Sequence, residues 1–188
     1  METLFQKSLY TECERLKAQA ISEVQNLDRA IFSNPALAGV VQKITEQHRI
    51  DIAEFRGEVT AERRTEQRTI DDYGRRVTVP VKLYDVSIPF VGDPESFRIA
   101  PSRCGVPQRK ATIGSNALTI TIPDDDNADA TIDNFKKTIE GNLQTARSEY
   151  AQMKAQLNQA VSAAAERRRQ EIAAEDARDK GRSFRVIN

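Results

Sequence analysis

The sequence predicts an α+β fold in which long N- and C-terminal helices flank a small antiparallel β-sheet of about four strands. Three observations support this prediction. Apolar residues recur every three or four positions towards both ends of the chain, as on one face of a helix. Between these regions apolar and polar residues alternate, as in half-buried strands. Short turn signals containing Gly, Pro, Asp or Asn separate the segments.

The composition favours a folded chain with long solvated surfaces. Of the 188 residues 30% are charged, yet 28 basic and 28 acidic side chains leave a formal net charge of zero. Disordered chains combine low hydrophobicity with high net charge, so this charge balance does not indicate disorder. A zero net charge also provides no global electrostatic field that would attract nucleic acid. The start of the chain lacks the apolar core of a signal peptide, and no apolar run could span a membrane. We therefore expect a cytoplasmic protein with no membrane partner.

The helical arm, residues 1–48, is predicted to contain two helices. The first starts at Thr3, extends for about seven turns and carries a continuous apolar stripe. This stripe consists of Leu9, Cys13, Leu16, Ala20, Val24, Leu27 and Ile31. Asn34 then supplies an N-cap, and Pro35 fits the first position of a short second helix that ends near His48.

The region 49–123 is predicted to form the antiparallel sheet. An irregular or edge strand is expected over residues 50–70, with a short helix over 61–68 as the alternative. A turn then leads into a strand over 76–91 that pairs with the first one. The apolar positions of this strand change from odd to even numbers, which predicts a bulge or bend near Tyr84 and Asp85.

A tight turn and a second hairpin are expected after this strand. Asp93 is placed to cap one helical turn that starts at Pro94, and Phe97 is expected to face the core. The hairpin extends over residues 111–122, with its turn at 114–116.

Residues 124–180 are predicted to form a long C-terminal helix, either continuous or broken near Asn158, followed by a tail over 181–188. Acidic residues at 124–126 favour its N-terminus. Its apolar stripe consists of Ile132, Phe135, Ile139, Leu143, Ala146, Tyr150, Met153 and Leu157. We expect the two long stripes to pack on each other or on a second copy, as an antiparallel bundle or coiled coil, and the whole chain to form one structural unit.

The residues that carry chemistry give no catalytic, cofactor-binding or metal site. The acidic run that starts at Asp125 imitates half of a calcium loop, but Ala130 and Lys136 stand where the motif needs Gly and Glu. The cysteines, Cys13 and Cys104, are 91 residues apart, and we interpret them as reduced thiols. We therefore predict that the chain is not an enzyme and holds no cofactor.

Two surface candidates remain. Arg167, Arg168 and Arg169 form a basic run that could contact nucleic acid or a partner, although interleaved acidic residues favour a solvated helix face. The second candidate is a structural turn that could also be a docking edge, and it consists of Gly92, Asp93, Pro94 and Phe97.

The segment VSIPFVGDPESFRIAPS, the hairpin ending in LTITIP and the long helical region after it resemble an uncharacterised bacterial family over residues 50–180. The matching positions are Pro89, Phe90, Gly92, Asp93, Phe97, Pro101 and Ser102. Members of that family often carry a C-terminal restriction-type nuclease domain, which these 188 residues do not contain. The resemblance therefore implies an accessory module without catalytic residues of its own.

These observations predict a non-catalytic interaction, regulatory or sensor module that acts through helical packing and a β-layer. We expect a homo-oligomer or a helical partner protein, with an effector such as a nuclease as a further partner in a bacterial genome-defence (antiviral) assembly. The alternative is a nucleic-acid-binding accessory protein that uses the basic end of the C-terminal helix.

Overall fold

A computed structural model describes residues 1–107 and 109–182 of the chain. The predicted tail, 181–188, lies outside these residues from position 183 onward. The described chain divides into two compact units. The first contains residues 1–9 and 50–149, and the second contains residues 10–49 with the chain from Tyr150 onward. Each unit therefore combines segments that are distant in sequence.

The first unit contains an antiparallel sheet with five strands among the described residues, so the predicted α+β class is confirmed. The strands are β2 (Glu54–Phe55), β3 (Thr60–Asp72), β4 (Arg75–Val91), β6 (Thr112–Ile113) and β7 (Ala117–Pro123). Strand β4 lies at the centre, in the order β2–β4–β7–β6, and β3 also pairs with β4. The sheet has one strand more than the four expected, because β2 and β3 pair with successive stretches of β4.

The β3–β4 hairpin confirms the predicted pairing, and the alternative helix over 61–68 is wrong. The two residues between the strands, Tyr73 and Gly74, both have positive φ, at 49° and 84°. This is the requirement of a type I′ turn, whose twist matches that of the flanking strands. The Asp71 carboxylate accepts a hydrogen bond from the Gly74 amide at 2.7 Å and so holds the turn.

The predicted bulge near Tyr84 and Asp85 is wrong. The register of β4 is continuous with β3 on one side and with β7 on the other, and no extra residue is inserted. Leu83 and Val86 are both buried, although they lie on opposite faces of the strand. The change from odd to even apolar positions therefore reflects which face of β4 is buried along its length, and not an inserted residue.

The predicted helix from Thr3 is too long, and the N-terminal helix is short. Helix α1 extends from Leu9 to Gln25, and a 3₁₀ turn follows over Arg29–Ser33. The residues before α1 are extended, because β1 (Lys7–Ser8) pairs in parallel with β5 (Ile99–Ala100). After Gln25 the Asp28 carboxylate caps the 3₁₀ turn by accepting the Ala30 amide at 2.7 Å.

Helix α3 extends from Ala128 to Lys180 without the break considered near Asn158. The Asp125 carboxylate accepts the Asn127 amide at 2.9 Å, so the acidic run does cap the N-terminal end. In the first unit, buried residues of α3 contribute to the core of the sheet. This core contains Val86, Ile88, Phe90, Phe97, Leu118, Ile120, Ile122, Phe135, Ile139 and Leu143.

The second unit packs α1, helix α2 (Leu37–Gln47) and the second part of α3. Their shared core contains Ala20, Val24, Phe32, Ile44, Leu157, Val161, Ala165 and Ile172. The predicted packing of the two long stripes is therefore present only in part, because α1 packs on the later portion of α3 while most of the predicted α3 stripe packs on the sheet.

The predicted antiparallel arrangement of these stripes is wrong. Cys13 lines a cavity with Tyr150, whereas Ile21 lines one with Ala160 and Ala164, so contacts advance in the same direction along α1 and α3. Leu37 of α2 lines a groove with Ala165, whereas Glu46 lines one with Lys154. Helix α2 is therefore the antiparallel neighbour of α3.

Candidate functional site

The sequence candidate at residues 92–97, here called the corner, is a tightly built turn. Gly92 has a φ of +101°, which side-chain-bearing residues rarely adopt. A Cβ at this position would lie 2.8 Å from the Ala53 Cα. The Asp93 amide donates to the Asp51 carbonyl at 2.8 Å. Only glycine therefore allows the chain to pass this close to the neighbouring segment.

Ser96 links the corner to the neighbouring segment at Ala53, and the residue is only 1% exposed. Its hydroxyl donates to the Asp93 carbonyl at 2.6 Å and accepts the Ala53 amide at 3.0 Å. The Ala53 carbonyl accepts a further hydrogen bond, from Arg147, at 2.7 Å. The polar groups of this segment are thus satisfied within the first unit.

Phe97 lies at the centre of an aromatic cluster and is fully buried. Its ring meets Phe90 edge-on at a centroid distance of 4.7 Å and stacks on Phe55 at 6.0 Å. As expected, Phe97 faces the core, and its ring supplies no surface for a partner. A docking role for the corner stays a prediction that concerns its exposed side only.

The carboxylates of the corner have structural partners. Asp93 accepts the Glu95 amide at 2.9 Å and caps the 3₁₀ turn Pro94–Arg98, as predicted. Glu95 forms ion pairs with Arg98 and, at 3.4 Å, with Lys7. Arg98 also donates two hydrogen bonds to Glu2, at 2.7 and 2.8 Å, and this lowers the pKa of the Glu2 carboxyl.

The two thiols lie in environments that do not activate them. Burial raises the pKa of Cys13 to about 11, with a further contribution from Glu12 and Glu14. Burial also raises the pKa of Cys104. His48 contacts the Glu23 carboxylate at 2.8 Å through Nε2. Both thiols are therefore protonated and poorly nucleophilic at neutral pH.

The arginine run of α3 is partly neutralised by acidic residues on the same helix. Arg168 pairs with Glu171 at 3.2 Å, and Arg169 pairs with Glu166 at 3.0 Å. Arg167 is exposed and has no ion pair with another described residue. The structure thus places the three side chains on one helix without gathering them into a single unpaired basic patch.

The β3–β4 hairpin extends well past the rest of the sheet. Its strands pair continuously from Thr60 with Ser87 to Asp72 with Arg75, but β7 pairs with β4 only from Leu83 onward. Residues 65–82, here called the distal ribbon, therefore have no third strand, and most of them are exposed. Within the described residues β3 pairs with β4 alone, so its outer edge is open.

One face of the distal ribbon carries a row of apolar side chains. Directly opposite residues share a face, and successive residues alternate between faces. Ile70 therefore lies beside Val77 on the same face as Val79 and Val81. Ile70 is 47% exposed and Val77 is 40% exposed, while Tyr73 in the turn is fully exposed. An apolar row in water is typical of a contact surface.

The same face of β3 carries charges of alternating sign. Arg64 and Arg68 both donate to the Glu66 carboxylate, at 2.8 and 3.1 Å, and these bonds lower the pKa of Glu66. Arg64 also donates to Asp85 on β4 at 2.6 Å. Next along the face lies Glu62, opposite Asp85 in the register.

Sequence reasoning missed the distal ribbon as a candidate, although its signal is present. The strict alternation of Val77, Val79 and Val81 with polar residues predicts an apolar face. It does not show whether another layer covers that face. Coverage depends on how far along β4 the neighbouring strands and the layer packed on them extend. Periodicity identifies neither.

Among residues 1–107 and 109–182 no cluster of three or more His, Cys, Asp or Glu side chains could hold a metal ion. In the same residues no helix combines the length and apolar character needed to cross a membrane. Comparisons of the chain with protein-family models, curated proteins and solved structures found no match. The resemblance to the nuclease-associated bacterial family stays a prediction.

Proposed function

We propose that this chain is a non-catalytic interaction module, regulatory or sensory in role, that assembles with a second copy of itself or with a helical partner protein. The observation that carries the proposal is the distal ribbon. It combines an open strand edge with an exposed apolar row, and both features form contacts between chains in other proteins. A ribbon that served only the fold would gain nothing from apolar side chains in water.

The state of the reactive side chains supports a non-catalytic role. The pKa of Cys13 is raised to about 11, so its thiolate is scarce at neutral pH. Asp93 and Glu95 cap a turn and pair with cations. The two carboxylates therefore have structural tasks, and the Cys13 thiol is protonated.

The second unit offers a surface suited to a helical partner. A groove between α2 and α3 is lined by Phe32, Pro35, Leu37, Val41 and Ala165, with Glu166 and Arg169 at its rim. An apolar groove with a charged rim matches the recognition of an amphipathic helix.

The partner class that we propose beyond self-assembly is an effector such as a nuclease, in a genome-defence assembly. This step rests on the family resemblance alone. Affinity purification of the tagged full chain from its native host tests it. We expect a nuclease or another effector to co-purify, and recovery of the chain alone would contradict the proposal.

The alternative function, nucleic-acid binding through Arg167, Arg168 and Arg169, needs cations that are free to meet phosphates. Two of the three are paired with carboxylates, so the observations favour it less. It predicts DNA or RNA binding that weakens steeply with salt and is lost when all three are replaced by Glu. Binding that survives these substitutions would exclude this basic run as the contact.

Native mass spectrometry of the full chain tests the main proposal. We expect a discrete oligomer whose population rises with protein concentration. A strict monomer at every concentration, together with no crosslinks between chains, would contradict self-assembly. A monomer that binds a co-purified protein would retain the interaction role with a different partner.

A further inference from the structure

We propose that the open edge of β3 pairs with the β3 edge of a second copy of this chain, antiparallel and centred on Thr65. The inference rests on the proposed function and names the surface and the partner for it. The pairing would join two hairpins into one continuous four-stranded sheet across a two-fold axis.

The outer edge of β3 is available for pairing. Within the described residues β3 has β4 as its only strand neighbour over all thirteen positions of Thr60–Asp72. Every second residue of such an edge directs its backbone N–H and C=O groups away from the hairpin. These groups are solvated in a single chain, and a second strand can accept them without any rearrangement.

The charges on β3 fit a second copy of the same strand. Glu62, Arg64, Glu66 and Arg68 follow one another on one face, so their signs alternate. In an antiparallel pair centred on Thr65, Glu62 lies opposite Arg68 of the partner subunit, and Arg64 lies opposite Glu66 of the partner subunit. Two-fold symmetry repeats both pairs. Four cross-strand pairs of opposite charge result, with no pair of like charge.

Neighbouring registers are less favourable, so the pattern selects one register. Centring on Arg64 or Glu66 would place like charges opposite each other. Centring on Arg63 would bring that guanidinium against its own symmetry mate. Centring on Gln67 would pair Glu66 with Arg68 and Arg63 with Asp71, but it would also place the like charges of Glu62 and Asp72 opposite each other. Charged side chains or proline can protect a strand edge from pairing, but alternating signs also complement a second copy of the same strand.

The side chains on the other, polar face of β3 are also compatible with the register centred on Thr65. Thr65 would meet its own symmetry mate, and Arg63 would lie opposite Gln67 of the partner subunit. Thr65 and Thr69 both lie on this face, four residues apart, and the β3 edge leaves both within reach of solvent. They therefore provide a matched pair of positions for a crosslinking test.

The first test replaces Thr65 by Cys in the full chain, with Thr69→Cys as its control. Directly opposite residues of antiparallel strands have Cα atoms about 4.5–5.5 Å apart, which suits a disulfide. In the proposed register the two cysteines introduced at position 69 would be about 27 Å apart along the strands. Mild oxidation should give a disulfide-linked dimer of Thr65→Cys only. Equal crosslinking of both variants and of the unmodified chain would overturn the register.

The second test uses charge at position 62. Glu62 lies opposite Asp85 within its own chain, so Glu62→Arg removes a like-charge neighbour from the monomer and should not destabilise it. In the dimer the introduced arginine would lie opposite Arg68 of the partner subunit. The two-fold axis repeats this like-charge pair, so it occurs twice. We expect dimer dissociation about ten-fold easier in Glu62→Arg, and largely restored in Glu62→Arg with Arg68→Glu.

The outcomes separate this inference from the proposed function. A dimer that is unchanged by Glu62→Arg and gives no disulfide in Thr65→Cys overturns the β3 pairing, while self-assembly through another surface stands. A strict monomer overturns both. Loss of the dimer in Glu62→Arg, with its rescue by Arg68→Glu, supports both.

Discussion

The corner at 92–97 and the distal ribbon at 65–82 belong to the same unit but expose their groups to water very differently. In the corner Phe97 is fully buried and the Ser96 hydroxyl makes two internal hydrogen bonds. In the ribbon Ile70 and Val77 are about half exposed, and one strand edge is open. Groups that bond within the chain stabilise the fold, whereas groups that bond only to water remain available to a partner. Internal contacts therefore concentrate in the corner, and the ribbon is the surface that we propose for recognition.

Removal of the buried Phe97 ring should give the largest difference in stability between the two regions. Phe97→Ala should lower the free energy of unfolding by about 3–5 kcal/mol, because it leaves a cavity between Phe90 and Phe55. Val77→Thr on the ribbon should change the same quantity by less than about 0.5 kcal/mol. Urea unfolding followed by circular dichroism measures both. Equal losses would show that the ribbon supports the fold as much as the corner does.

The backbone of the corner gives the next largest effect. Gly92→Ala should cost about 2–4 kcal/mol, because the added Cβ is strained at this φ and meets the Ala53 backbone at 2.8 Å. Gly141→Ala is the matched control. This glycine lies within α3 and has nothing within 4 Å of an added Cβ, so the change should stabilise by about 0.5–1 kcal/mol. If Gly92→Ala also left the free energy of unfolding unchanged or raised it, the close approach of Gly92 to Ala53 would not constrain the corner.

A smaller loss is expected from Ser96→Ala. The substitution leaves the buried Ala53 amide without its acceptor, at a cost of about 1–3 kcal/mol. Thr78→Ala removes a hydroxyl contact to Thr69 on the exposed ribbon, where water replaces it, so its effect should be within about 0.5 kcal/mol. Thermal unfolding of the two variants side by side would reveal any inversion of this order.

The smallest effect concerns reactivity. A cysteine placed on the ribbon by Thr69→Cys should have a pKa near the ordinary ~8.5, whereas the pKa of Cys13 is raised to about 11 by burial. At pH 8 iodoacetamide should modify Cys13 on the order of ten-fold more slowly than the ribbon cysteine. Peptide mass mapping over time measures both rates. Similar rates would mean that the Cys13 environment opens readily.

Much of the fold could be predicted because it depends on local chemistry. Asp93 before Pro94 predicts the capped turn, and the alternation over 117–123 predicts β7. The periodic stripe also predicts α3. These features need only residue type and spacing.

The features that the sequence did not predict depend on partners that are distant in sequence. The start of α1 at Leu9 is set by pairing of β1 with β5, whose residues lie far along the chain. The apparent slip of β4 at Tyr84 arises because each face is covered over a different stretch. The direction of α1 relative to α3 depends on packing between segments that are distant in sequence. Periodicity identifies an apolar face but not the element that covers it, which is also why the ribbon was missed.

The central claim is that the distal ribbon serves assembly and not the stability of the chain. The most direct test is native mass spectrometry of a chain in which residues 67–80 are replaced by Asn-Gly. Glu66 and Val81 are directly opposite in the register, so a two-residue turn can close the shortened hairpin. We predict a folded chain with unchanged unfolding behaviour that has lost the oligomer formed by the full-length ribbon. An oligomer that persists with the same stability as that of the full chain would contradict the claim.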